Sequence, residues 1–556
     1  MLERVASYIW GTGLLVLLLG TGLCLSFRLR FFQFWGWKTI LRRTFGSLRT
    51  KSGKGGTSLT QFQTFSTALA AAMGTGNILG VAAALCLGGA GAIFWMWVSA
   101  LLGMALTYSE NVLALRYART LPDGTKAGGP MAYLRFGLHS PVLAVFYSLC
   151  CIGASLGMGN MTQSSAISTL AAEAFSLPPL WTGIGVTLLL GIILLRGTRS
   201  TGKVIQWLMP VLSAVYLLAA LGVIFRNAAA LPAAFGQIFR EAFGLHAVGG
   251  GISGAVLQRA VQTGLRHGVF SNEAGLGSSA LVHAGGSSED AQLQGMWSMV
   301  EVALDTLVCC TLTALAVLTS GAMTQADNAG GIISAAFSGV FGQAAPELMA
   351  GITALFAFCT LIGWCCCGEQ AVRYLGGEAW RLPYRVLFCL AAGVGAVVSL
   401  RSVWALSDIA NGLMAVPNLL GLLLLLWPTG SRRETVKTET AASGFSLAET
   451  EEKLEALLCQ IDGAGAVDVM LTLADGGEAV YQVDETVRDG GREEQTVLAD
   501  KAPVLVQTRQ PRFQGAVVVC EGADCAAVKL AVTEAVASLT GLGSGKIAVV
   551  KMKSSK

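Results

Sequence analysis

Apolar residues run in long blocks through the first 430 positions, separated by short polar connections. The blocks fall at 8–26, 61–88, 91–118, 140–171, 178–195, 203–225, 248–270, 292–319, 347–373, 383–400 and 403–427. A helix needs about 20 apolar residues to cross a hydrocarbon core of about 30 Å, so each block predicts one membrane-spanning helix. That makes eleven spans. Several blocks exceed the minimum, which predicts tilt, kinks or interruption. Setting the first helix aside leaves ten, which divide into two five-helix halves of opposite orientation, an inverted repeat.

After this point the periodicity shortens. Leu447–Ile461 places Leu454, Leu457, Leu458 and Ile461 on one helix face. Val467–Leu473 alternates as a strand, and Val480–Val483 reads as a second, reached through Asp475-Gly-Gly477. Val504–Val506, Ala516–Cys520 and Ile547–Lys551 read as short strands, Ala526–Thr540 as a helix, and the charged stretch Thr486–Asp500 as a loose insertion. The expected organisation is a membrane domain at 1–428, a polar linker at 429–448 and a small soluble α+β domain at 449–556.

Charge follows the same division. The chain is 53% hydrophobic and 13% charged, against about a quarter charged in a soluble protein. Ser431–Lys556 is about 26% charged, and the residues before it only about 9%. The net charge of +4 forms no basic patch interleaved with aromatics, so no nucleic-acid partner is expected. Eleven of the fourteen cysteines sit in the apolar blocks without CxxC spacing, as packing residues. No nucleophile set, metal set or phosphate loop appears, so neither enzymatic activity nor a bound cofactor is expected.

Lys and Arg collect in cytoplasmic loops. Arg28–Lys54 holds eight of them and Arg116–Arg135 four, whereas Gly321–Glu347 and Glu173–Leu180 hold none. Alternate loops are thus basic and basic-poor. This places the N-terminus outside the cell membrane and the C-terminal domain in the cytoplasm. The first block lacks a small-residue cleavage site and reads as a retained helix.

The second block contains Gly74-Thr75-Gly76-Asn77 in mid-span. Glycines there favour a break, and lipid cannot satisfy the backbone groups a break frees. A half-helix N-terminus offers N–H groups to a carboxylate, and the preceding carbonyls can hold a cation or an ammonium. The alternative is close helix packing through small residues. The matching position in the second half falls near Gln262-Thr263-Gly264 or on Gly268–Gly277, and both stay open.

Gly74–Asn77, Gly128-Gly-Pro-Met131, Gly159-Asn-Met-Thr-Gln163, Gly268-Val-Phe-Ser-Asn-Glu-Ala-Gly-Leu-Gly-Ser278 and Phe356–Trp364 occur in this order, and together they resemble the alanine or glycine:cation symporter family over about residues 1–425. The resemblance implies a LeuT-like five-plus-five inverted repeat with one extra N-terminal helix, and symport of alanine or glycine with sodium by alternating access. It implies that Thr75, Gly76 and Asn77 face the substrate, that Gln163 forms a polar wall and that Trp364 closes the pocket, with Gln262, Thr263 and Gly264 as the second-half counterpart. The cation site it implies combines Ala70, Met73 and Gly74 with Cys359 and Thr360. The family shows serine where this chain has Cys359, a poor ligand for a hard cation, so the ion stays open between sodium and a proton.

Ionisable residues inside spans are functional candidates. Glu110, Arg259, Glu301, Asp305, Glu369 and Asp408 qualify, with Glu369 and Arg373 spaced to pair. In the tail, Gln460–Met470, Gly477–Tyr481, Gln514–Asp524 and Gly545–Lys553 resemble stage III sporulation protein AG. This implies a ring-building module that self-associates or joins sporulation-complex proteins. Glu521-Gly-Ala-Asp524 reads as a turn before a helix rather than a metal site. Two readings of the whole chain follow: a transporter with an added module, or an assembly protein whose membrane part is an anchor. The join at 418–428 also fits two neighbouring genes fused in one frame.

Overall fold

The computed structural model describes residues 2–48, 60–120, 126–243, 252–286, 290–326, 328–398, 400–426, 447–475, 478–481, 483–488, 491–496, 498–499, 502–503, 505–509 and 512–552. They form two compact units, Met1–Pro428 and Thr429–Lys556. The expected linker falls almost wholly outside the described residues.

Among its described residues the regular structure of the first unit is helical, with a two-stranded ribbon, Arg119–Thr120 against Lys126–Ala127. Among the described residues, six helical stretches are long and apolar enough to cross a membrane: Gly91–Arg116, Pro141–Phe175, Thr201–Arg226, Ala291–Ser320, Ala329–Gly376 and Leu406–Leu426. Shorter apolar helices run over Thr12–Arg28, Leu79–Gly88 and Pro179–Leu194. Their outer faces expose Leu23, Leu188, Trp207 and Leu218, and the helix Arg381–Val397 exposes Leu390 and Val394. A surface of large apolar side chains suits lipid and not water. The interior holds the polar residues, Thr64, Asn77, Asn160, Gln294 and Asp305 among them.

Four helices lie where the sequence predicts loops or plain connections: Phe32–Trp35, Trp37–Ser47, Leu231–Ala242 and Ala329–Phe341. They are short or amphipathic, and neither kind makes a long apolar block.

The second predicted span is broken in its middle, and a second break follows the end of the seventh. The helix Gln61–Ala72, capped by the Thr60 hydroxyl, stops at Met73. A single tight turn covers Thr75–Asn77, and Leu79–Gly88 resumes. In the other half, Ile252–Asn272 runs without interruption, 273–277 is irregular, and Ser278–Ala284 follows. The second break therefore lies in the Gly268–Gly277 motif and not at Gln262-Thr263-Gly264. Gln262 is exposed on an intact helix, and Gly264 serves packing instead. A methyl group on Gly264 would lie 2.3 Å from the Ala92 carbonyl oxygen, and one on Gly268 would lie 2.8 Å from the Ser99 side chain. Gly103, on the same neighbouring helix, meets Ala274 in like fashion. This is a small-residue seam between Gly91–Arg116 and Ile252–Asn272, which lets two backbones approach where lipid offers no hydrophobic drive.

Three stretches widen from α to π geometry: Tyr133–Gly137, Gly157–Met161 and Ala303–Cys310. Such turns rotate the side chains that follow and frequently mark functional positions. Charged residues near one helix end are paired, Glu369 with Arg381 and Arg385 and Arg373 with Glu378, and Arg266 pairs with Asp408 between two helix interiors.

In the second unit, Arg512–Cys520 is the centre of a three-stranded sheet, antiparallel to Val467–Asp475 and parallel to Ile547–Lys551. The helix Ala526–Thr540 makes the crossover between the parallel pair. Its Val528, Val532 and Val536 pack with Leu454 and Leu458 of Leu447–Leu458 against Val469, Leu471 and Val518. Glu478–Tyr481 does not continue this sheet but pairs with Leu505–Arg509. The stretch expected as a loose insertion forms a hairpin, Val483–Arg488 with Gly491–Thr496. Glu521 accepts the Ala466 amide and Asp524 pairs with Lys551, so the two acids serve different partners.

The seam yields a prediction. Gly264→Leu overpacks a backbone contact and destabilises by about 1–3 kcal/mol or more. Gln262→Leu, two residues away and exposed, leaves the melting temperature of the purified protein unchanged within error, whereas Gly264→Leu lowers it.

Candidate substrate and cation site

The first break begins where Met73 makes the last helical bond, to the Leu69 carbonyl at 2.7 Å. In a continuous helix the Gly74 amide would close onto the carbonyl of Ala70. It donates instead to Asn77 Oδ1 at 3.0 Å, which leaves the Ala70 carbonyl without that bond. The Met73 carbonyl accepts the Thr360 hydroxyl at 3.3 Å. A Cβ on Gly74 would stand 2.5 Å from Thr360 Oγ1, so only glycine lets the two chains approach. The Met73 carbonyl and the Thr360 hydroxyl thus meet beside Gly74, one turn beyond Ala70. Cys359 is buried in the same apolar cluster as Met73.

Past the break, the Thr75 hydroxyl donates to Gln163 Oε1 at 3.0 Å. Gln163 follows the widened turn Gly157–Met161, and its amide donates to the Met158 carbonyl at 3.3 Å. Gly76 lies beside Phe270, 3.5 Å from where its Cβ would be. Trp364 stands one turn beyond Thr360 on the same helix and is fully buried. Thr75, Asn77, Gln163, Trp364 and Thr360 are each buried. Gln262, Thr263 and Gly264 are not part of this cluster.

Asn77 reaches across to Asp305, one of the ionisable residues inside the predicted spans. Its amide donates to Asp305 Oδ1 at 2.6 Å and to the Asp305 carbonyl at 3.2 Å. Asp305 Oδ2 accepts Ser271 Oγ and Thr306 Oγ1, each at 2.7 Å. Ser271 lies at the end of the helix leading into the second break. One carboxylate therefore ties the first break to the second. Thr313 completes the wall by donating to the Asn77 carbonyl at 2.9 Å, and it meets the Tyr216 hydroxyl at 2.6 Å. Asp305 is fully buried and held by neutral donors.

The second break is built from Glu273–Gly277. Glu273 adopts a left-handed backbone (φ 55°), as do Gly275 and Gly277. Glycine takes that conformation freely, but glutamate does so at a cost. The carbonyls the break frees are used: Gly275 accepts Asn418 at 2.8 Å and Leu276 accepts the Tyr147 hydroxyl at 2.9 Å. Asn418 also donates to Glu110 at 2.6 Å, and Tyr133 donates to Asn418. Glu301 is bound to His283 at 2.6 Å and to Ser279 at 3.0 Å. Glu110 and Glu301 thus brace the helix and turn that follow Glu273. Sequence pattern alone does not single out Ser271, Glu273 or Thr313. Ser271 and Glu273 lie inside the polar, glycine-rich motif, which is the signal the chain offers for them.

A cavity of about 70 Å³ opens beside Leu79, at the start of the resumed half-helix, and is lined by Leu170, Glu173, Ile333, Met349 and Thr353.

Removing Asn77 leaves the Asp305 carboxylate and the Gly74 amide short of partners. Leaving a buried charged group unsatisfied costs about 1–3 kcal/mol or more. Asn77→Ala therefore lowers the melting temperature of the purified protein, and Asn77→Asp, which sets a second carboxyl against Asp305, lowers it further. Equal melting temperatures across the three proteins would contradict the geometry.

Known proteins share both units. Residues 1–434 match the sodium:alanine symporter family, and residues 446–553 match the SpoIIIAG C-terminal domain. An "uncharacterized transporter" of Haemophilus influenzae is 39% identical over 428 residues, 76% of this chain and 92% of that one. The sodium/alanine symporter AgcS of Methanococcus maripaludis is 39% identical over 434 residues, 76% of this chain and 94% of that one. A solved structure of SpoIIIAG aligns with 20% of this chain and 94% of its own, at 27% identity and a TM-score of 0.16. By the match over its membrane unit, this chain belongs to the sodium:alanine symporter family.

Proposed function

We propose that the protein is a secondary active symporter that carries a small neutral amino acid, alanine or glycine, together with sodium. The observation that carries this reading is the meeting of two broken helices at one buried carboxylate, Asp305, through Asn77 and Ser271. The sodium/alanine symporter AgcS, similar over nearly its whole length, supports both the substrate and the ion.

The chemistry follows from the breaks. The amides that open the Thr75–Asn77 turn and the Leu79–Gly88 half-helix receive the substrate carboxylate, since a helix N-terminus favours negative charge. The ammonium sits against carbonyls. Thr75, Gly76, Asn77 and Gln163 line the polar side and Trp364 the side-chain end. Sodium binds at the Ala70 and Met73 carbonyls with the Thr360 hydroxyl, with Gly74 providing the space. Cys359 packs behind this set and is not a ligand, because a thiol is a weak partner for a hard cation. A fully buried carboxylate held by neutral donors draws a cation toward the same region. Alternating access then moves the half-helices about the fixed site, with the cavity beside Leu79 as the outer approach.

The same reading assigns eleven crossings, a LeuT-like five-plus-five core with an added first helix, an outer N-terminus and a cytoplasmic tail. The alternation of basic and basic-poor loops supports it. The tail self-associates or binds sporulation-type assembly proteins, a reading that rests on the match of 446–553 to the SpoIIIAG C-terminal domain.

Labelled alanine should enter proteoliposomes when sodium is high outside, stop when the gradient is collapsed, and stay absent when a proton gradient replaces it. Thr360→Ala should weaken the apparent sodium affinity about tenfold or more. No alanine or glycine uptake under any gradient would overturn the transport reading. For the tail, chemical crosslinking in membranes should give oligomers with the full chain and not with a chain lacking 446–553.

A further inference from the structure

Trp364 is held from two sides. Behind it, Gly159 packs so closely that a Cβ there would lie 2.3 Å from Trp364 Cγ. At its far end, the indole Nε1–H donates to Glu273 Oε1 at 2.7 Å. Glu273 is itself locked. It is buried, its amide bonds the Val269 carbonyl at 2.8 Å, its carbonyl accepts the Leu276 amide at 3.2 Å, and its backbone is left-handed at φ 55°. A non-glycine residue in that conformation persists only where its surroundings over-determine it, and such residues cluster at functional sites.

Three elements therefore meet at one ring. Gly159 comes from the widened turn one step before Gln163, Trp364 from the helix that carries Thr360, and Glu273 from the second break. Gln163 and Thr360 both touch the first break. The ring plane is fixed relative to the first break by a bond to the second.

Given the substrate pocket proposed above, on which this step rests, we propose that Glu273 is a specificity-determining positioning residue. By anchoring the Trp364 indole it sets the largest side chain the pocket accepts. Glu273 does not touch the substrate. It acts through Trp364, and the pocket keeps its size only while the second break holds its shape. Losing the acceptor frees the ring to swing about its side-chain torsions, and larger amino acids then fit.

The test compares uptake of labelled alanine and labelled valine in sodium-loaded-outside proteoliposomes for wild type, Glu273→Gln, Glu273→Ala, Trp364→Phe and the Glu273→Ala/Trp364→Phe pair. The readout is the ratio of Vmax/KM for alanine to that for valine. Wild type should favour alanine. Glu273→Gln keeps an acceptor oxygen of the same shape and should keep the ratio within about threefold. Glu273→Ala and Trp364→Phe should each lower it at least tenfold, mainly through a lower KM for valine. The pair should go no further than Trp364→Phe alone, because both changes act on one ring. If Glu273→Ala does not fold, Glu273→Leu, which fills the same space without an acceptor, takes its place with the same expected loss. A tenfold loss of the ratio in Glu273→Gln, or an unchanged ratio in Trp364→Phe, overturns the proposal. Equal loss of both substrates in Glu273→Ala also overturns it, since a purely structural role would do that. Failure of wild type to take up either amino acid overturns the transport reading and this step together, whereas alanine uptake with an unmoved ratio overturns this step alone.

Discussion

Two pieces of backbone give up their helical hydrogen bonds deep inside an apolar bundle, and everything near them is arranged to satisfy what they release. In hydrocarbon each unpaired amide or carbonyl costs several kcal/mol, so a break survives only among polar partners. At the first break Asn77 supplies the oxygen for the Gly74 amide, while the Thr360 and Thr313 hydroxyls are shared between the Met73 and Asn77 carbonyls and the Phe356 and Cys309 carbonyls of their own helices. At the second, Asn418 and Tyr147 cover the Gly275 and Leu276 carbonyls. Asp305 then binds both assemblies into one unit. Its position near the start of the widened helical segment Ala303–Cys310 lets its carboxylate face Asn77 on one side and Ser271 on the other.

Once the breaks are secured in this way, the fold can turn main-chain atoms of the half-helices toward a ligand. A zwitterion needs both donors and acceptors, and a broken helix offers amides on one side of the break and carbonyls on the other. Small residues matter for the same reason. Gly74 admits Thr360, Gly159 admits the Trp364 ring, and a Cβ on Gly363 would lie only 2.6 Å from the Ala71 amide nitrogen. Glycine here serves proximity at least as much as flexibility. The ionic pairs at the helix ends, with Glu369 between Arg381 and Arg385, stay apart from this chemistry and fix the periphery.

Much of this is legible in the chain itself. The apolar blocks mark the helices. The Gly74–Asn77 tetrad marks the first break, because two glycines with Thr75 and Asn77 in mid-span neither favour a continuous helix nor suit contact with lipid. The second break narrows to two stretches and no further. Glycines at 264 and 268 look like a break when only the sequence is in view, yet they face Ala92 and Ser99 across an intact seam. The distinction depends on which neighbour each glycine meets, and local composition does not encode that. Asp305 and Glu301 sit one turn apart in sequence, as if to share one role. The widened turn over Ala303–Cys310 separates them, sending Asp305 to the breaks and Glu301 to His283. In the soluble unit the main strands and the Ala526–Thr540 helix follow from alternation and helical periodicity. The charged hairpin at 483–496 does not, because its residues carry little apolar pattern.

The central claim is that the two breaks, joined at Asp305, hold amino acid and cation in one coupled site. Its most direct test is equilibrium binding of labelled alanine to the purified protein across a sodium titration, with sodium binding measured in turn across an alanine titration. Coupling between two bound ligands is reciprocal, so each must raise the affinity of the other by the same factor. The account predicts matched increases of about tenfold or more in wild type, with alanine affinity indifferent to sodium after Thr360→Ala. Alanine binding in wild type that does not respond to sodium would contradict it.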